Sequence, residues 1–81
     1  MTDHLISAVR ELRQQLGDSQ QAFANRLGLS IRAIAYYEKD RRPTGMALAA
    51  LGKAAKAAER RDLVNTFMTA LSDELGIEVK V

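Results

Sequence analysis

The sequence predicts an all-α domain of five helices, on three observations. Apolar residues recur at helical spacing up to residue 75. Gly17, Gly28 and Pro43 punctuate the periodic segments. Strict alternation of apolar and polar residues, the strand pattern, is confined to the last few positions.

The first helix, over residues 3–16, places Leu5, Val9, Leu12 and Leu16 on one face and stops at Gly17. The second, 20–27, gathers Phe23, Ala24 and Leu27 on one side, and the third, 31–39, turns Ala33, Ile34 and Tyr37 toward them. Between these two lies Gly28-Leu29-Ser30. Gly28 suits a positive φ, Ser30 is a good helix cap, and Leu29 can staple onto Ile34 four positions into the helix. Two short helices joined by such a turn form a helix-turn-helix pattern.

Opposite Ile34 and Tyr37, the third helix carries Arg32, Tyr36 and Lys39 at i, i+4 and i+7, with Ile31 and Ala35 beside them. Arg can engage both acceptors of a guanine edge, and Ala or Ile can touch a thymine methyl. Taken alone, such a stripe is equally a solvated helix face. The agreement of turn, cap and staple favours a surface that reads duplex DNA.

The fourth helix, over 45–58, is Ala-rich, and Gly52 within it implies a close helix neighbour. The fifth, over 60–75, bears Leu63, Val64, Phe67, Met68, Leu71 and Leu75. A stripe this wide either closes the core or is shared between subunits, and the expectation is dimerisation through it. In the tail, 77–81, apolar Ile77, Val79 and Val81 alternate; the segment either frays or pairs with its symmetry mate.

Eighty-one residues, 47% hydrophobic and 27% charged, fit one globular domain over 1–76 with a core small enough to benefit from a partner. With no cysteine, disulfides and thiolate metal sites are excluded, which fits a cytoplasmic setting. No apolar run approaches the roughly 18 residues that span a bilayer, and the N-terminus reads as an amphipathic helix, so a soluble intracellular chain is expected. Catalysis is not expected. His4 is the sole histidine, there is no Gly-rich phosphate loop or Ser-His-acid set, and the adjacent Asp73 and Glu74 diverge on a helix. No metal or cofactor is implied.

The net charge of +2 conceals an asymmetry. Residues 1–30 are neutral, 31–61 carry eight basic against three acidic side chains, and 62–81 carry one basic against four acidic. A basic middle that includes the third helix suits a polyanionic duplex, with the acidic end directed away from it.

Residues 9–43 resemble the Cro/C1-type (Xre-like) helix-turn-helix domain of phage repressors and small bacterial regulators. The resemblance rests on Leu12-Arg13, Ser19-Gln20, Phe23-Ala24, Gly28-Leu29-Ser30, Ile34, Tyr37-Glu38 and Arg41-Arg42-Pro43, held in register without a gap. It implies a five-helix lambda-repressor-like fold and assigns roles. Ile31, Arg32 and Tyr36 fall where the family reads base edges, joined by Ala35 beside them. Ser19 and Gln20 open the second helix at a phosphate, and Lys39, Arg41 and Arg42 meet the backbone. Arg13 and Glu38 match a structural ion pair. Two departures stand out: Asp40 occupies a position where Gly is usual and positive φ is common, and beyond Pro43 the match fades, with Gly45, Gly52 and Ala55 in place of larger apolar residues.

The expected function is a sequence-specific, double-stranded DNA-binding transcriptional regulator, a repressor that binds an inverted-repeat operator as a homodimer. The alternative is an antitoxin-type module that binds a toxin and also binds DNA to autoregulate its operon.

Overall fold

The computed structural model describes residues 4–76, which form α1 (His4–Leu16), α2 (Gln20–Leu27), α3 (Ile31–Tyr37), α4 (Met46–Ala57) and α5 (Arg61–Leu75). Among the described residues all regular structure is helical, as the sequence predicts. The alternating segment 77–81 lies outside the described residues.

The apolar faces meet in one core. Leu5, Ala8, Val9 and Leu12 of α1 join Phe23 and Ala24 of α2, Ile34 of α3, Leu48, Leu51 and Ala55 of α4, and Leu63 and Phe67 of α5. The pairing of α4 with α5 is the most extensive in the fold. Gly52 makes it close, because a Cβ there would overlap Cε of Met68. Pro43, between α3 and α4, is also fully buried and anchors the connecting loop.

Two expectations change here. Leu63 and Phe67 are buried in the core of the single chain, which removes them from any surface offered to a second copy. At about 100° per residue the six positions form one stripe with Leu63 and Phe67 at one edge, and α5 turns that edge inward. Val64, Met68 and Leu71 pack against the core while keeping partial exposure, and Leu75 is 62% exposed. In addition, α3 ends at Tyr37, two residues before its expected end. The Tyr36 carbonyl accepts the N–H groups of Lys39, Asp40 and Arg41 at 3.0–3.1 Å, winding the chain into a tight turn. Asp40 does not take a positive φ there; among the described residues other than glycine, only Glu59 does, at +58°.

Candidate nucleic-acid interface

The local chemistry of α2 and α3 sets their relative placement. The Ser19 hydroxyl accepts the Ala22 N–H at 3.0 Å and caps α2; the Ser30 hydroxyl accepts the Ala33 N–H at 3.1 Å and caps α3. Between them Gly28 takes φ +71°, and its N–H reaches the Ala24 and Asn25 carbonyls while Leu29 N–H bonds the Ala24 carbonyl at 2.9 Å. This is a glycine-terminated helix followed at once by a serine-capped one. Through this turn the Ala24 and Asn25 carbonyls and the Ala33 N–H all find partners.

Only Ile34 of α3 is fully buried. One inward anchor, with Ala33 and Tyr37 half-buried beside it, leaves the opposite side of the helix free. Ile31 is 45% and Tyr36 42% exposed, Arg32 is exposed, and Ala35 is half-buried between them. The four predicted base-reading residues therefore share one side of α3. Large apolar groups held in water by a helix whose anchor is elsewhere contribute little to folding; their exposure is what contact with a partner requires.

The early end of α3 moves two cations. Lys39 leaves the helical stripe and lies exposed in the turn. Arg41 folds back so that its guanidinium carbon sits 5.0 Å from the centre of the Tyr36 ring, a cation–π contact. Ser30, Arg32, Tyr36, Tyr37 and Arg41 then surround a hollow of about 220 Å³ on the reading side. Arg41, expected from the sequence at the phosphate backbone, thus lies against Tyr36. Ser19 is exposed and Gln20 half-buried at the start of α2, where unpaired backbone N–H groups favour an anion.

Arg13 and Glu38 hold this arrangement from behind. Arg13 Nε donates to Glu38 Oε2 at 2.7 Å and Nη2 donates to Oε1 at 2.9 Å, a bidentate pair on a carboxylate that is 4% exposed. The hydrogen bonds to Glu38 hold the Arg13 guanidinium above its ordinary pKa. The remaining Arg13 nitrogen, Nη1, donates to the Asp18 carbonyl at 2.9 Å, and Arg10 Nη2 donates to the Glu38 carbonyl at 2.7 Å. One face of α1 therefore grips the turn before α2 and the end of α3 together. Asp18 is in turn held by Arg26 at 2.7 Å, which keeps its carboxyl below the ordinary carboxylate range.

These pairings redistribute the charge counted from the sequence. Arg10, Arg13 and Arg26 are matched to acids, and Arg60, counted in the basic middle, binds Glu11 and Asp62 at 2.8 and 2.9 Å. Arg32 and Lys39, on or beside the reading side, have no ion pair among the described residues. The role of Arg10 is missing from the sequence reading, although its place one turn before Arg13 on the same helix face is the signal for it. The long-range partners of Arg60 leave no local trace.

Two short serine-capped helices around a glycine turn, the second with Ile31, Arg32 and Tyr36 exposed, constitute a helix-turn-helix DNA-binding domain. The chain belongs to the Cro/C1-type helix-turn-helix family, which it matches over residues 9–56. The match continues past Pro43, where the sequence reading let it fade. The small residues Gly52 and Ala55 are both buried and keep the inward register of α4. No curated protein and no solved structure matches the chain. The family is one of DNA-binding regulators and is not typically enzymatic. Among the described residues no helix is long and apolar enough to cross a membrane.

Proposed function

We propose that this protein is a sequence-specific transcriptional regulator of the cytoplasm, a repressor that occludes a promoter by binding an inverted-repeat operator as a dimer. The observation that carries this reading is the reading side of α3: Ile31, Arg32, Ala35 and Tyr36 share it and none is spent on the core. Arg32 addresses guanine, Ile31 and Ala35 address thymine methyls, and Tyr36, steadied by Arg41, donates to a base or phosphate. Ser19, Gln20, Lys39 and Arg42 sit where they engage phosphates on either side. Dimerisation uses the outer edge of α5, Val64, Met68, Leu71 and Leu75, because a single helix reads too few base pairs for a selective operator.

Selection of bound duplexes from a random pool, with wild type and Arg32→Ala in parallel, tests this. An inverted repeat with half-site centres about 10 bp apart is expected. Arg32→Ala should weaken binding by about 1–3 kcal/mol and blur preference at its own position. Equal loss on selected and random duplexes would refute base reading.

The antitoxin-type reading draws support from one feature that DNA binding leaves unused. Met46 is 86% exposed at the edge of a groove of about 570 Å³ floored by Leu16, Leu27 and Ala50. Co-purification of a toxin encoded beside this chain, lost with Met46→Glu, would favour that role; a self-contained homodimer would favour the repressor.

A further inference from the structure

The loop that joins α3 to α4 carries Arg41 and Arg42, and its far end has a weak point. Gly45 precedes α4 with φ +53° and ψ −125°, a conformation that side-chain-bearing residues rarely adopt, and supplies no side chain to cap the helix. Its N–H instead donates to Glu74 Oε2 at 2.8 Å, across 29 residues of sequence, from the last turn of α5. Arg42, Pro43 and Thr44 line the same crevice as Asp73 and Glu74.

The loop is held at several points, among them the carbonyls of Thr44 and Gly45, which accept the Ala47 and Ala49 N–H groups at 3.1 and 3.2 Å. Arg41 N–H is bonded to the Tyr36 carbonyl, Pro43 is buried, and Gly45 is held by Glu74. The first two follow from α3 and from the core. The N–H of Gly45, a residue with the backbone freedom of glycine, depends on one acidic side chain in the last turn of α5.

Resting on the DNA-binding reading above, we infer that Glu74 is a positioning residue for duplex binding: its carboxylate holds the Gly45 N–H and so the far end of the loop that carries Arg41 and Arg42, without touching DNA. The sign of this effect opposes simple electrostatics. An acidic group on a DNA-binding domain repels the polyanion, so removing its charge alone tightens binding on every sequence. Gln keeps an acceptor oxygen for the Gly45 N–H and drops the charge; Ala drops both.

The experiment compares the wild-type 81-residue chain, Glu74→Gln and Glu74→Ala for binding to the selected duplex and to a random duplex, at a temperature where all three are folded. Amide hydrogen exchange of residues 41–45 is recorded on the free proteins. Glu74→Gln is expected to bind as well as wild type or tighter, with wild-type exchange. Glu74→Ala is expected to bind the selected duplex about three- to tenfold more weakly than Glu74→Gln, as for loss of one hydrogen bond, with the same salt slope as Glu74→Gln and faster exchange confined to 41–45. Equal binding by the two variants, or equal exchange, overturns the inference while leaving the DNA-binding reading intact. Failure of the wild type to bind either duplex overturns both.

Discussion

Replacing Arg13 with Met removes the guanidinium while keeping most of the side-chain volume, and it strands the Glu38 carboxylate. That carboxylate is 4% exposed and loses both of its short hydrogen bonds, at 2.7 and 2.9 Å. The nearest remaining cation is Arg10, whose Nε lies 3.8 Å from Oε1. Breaking a buried pair by deleting one partner costs about 3–5 kcal/mol. Arg10 keeps the loss toward the lower end, about 3 kcal/mol, and the unpaired Asp18 carbonyl adds about 1 kcal/mol. A domain of 81 residues has roughly 4–12 kcal/mol of stability in all, so the variant should be marginal. Urea unfolding followed by circular dichroism should show a lower midpoint, and a loss of about 4 kcal/mol corresponds to a melting temperature lower by about 16–32 °C. The double variant Arg13→Met, Glu38→Leu should recover at least half of the loss, because no charge is then buried alone. The reasoning fails if the single variant loses less than about 1 kcal/mol, or if the double variant is as unstable as the two singles added together.

Lys39→Ala should weaken binding to selected and random duplexes alike and reduce the slope of log K against log salt by about 0.9; an unchanged slope would exclude a direct phosphate contact. Glu59→Gly should stabilise the protein by about 0.5–1 kcal/mol in urea unfolding, because Glu59 sits at φ +58° and the left-handed penalty of about 1–2 kcal/mol outweighs the added freedom of glycine in the unfolded chain. A destabilised variant would mean that the Glu59 side chain makes up for its backbone. Hydrogen bonds from Arg60 lower the Asp62 carboxyl from 3.8 to about 2. The unfolded state then binds more protons between these values, so this contribution to stability is present above pH 4 and fades as pH falls toward 2. Asp62→Asn should flatten that part of the acid unfolding profile, and an unaltered profile would remove the pair as its source.

The helices were legible because each carries a buried stripe at helical spacing, and the turn because Gly28 and Ser30 are the residues that its backbone requires. The exposure of Ile31, Arg32 and Tyr36 on α3 was legible for the opposite reason: they are large or charged where the helix has no packing partner. What the sequence concealed depends on contacts far apart in the chain. The wide stripe of α5 does not say which of its members turn inward, since that follows from where α4 lies. The end of α3 was set by one carbonyl, that of Tyr36, gathering three N–H groups, and no spacing rule anticipates it. The bond from Gly45 to Glu74 joins two residues that are unremarkable in their own segments.

The grip of α1 on both ends of the α2–α3 unit separates two properties that are often entangled. The distance from the start of α2 to the end of α3 is gauged by Arg10 and Arg13 of α1, through Asp18 and Glu38 and not through the proposed reading residues. The side chains meant to meet bases give almost nothing to the core. Changes at Ile31, Arg32, Ala35 or Tyr36, one at a time, should therefore leave the gauge its length and the domain its melting point. Altering the gauge itself would displace the whole α2–α3 unit at once.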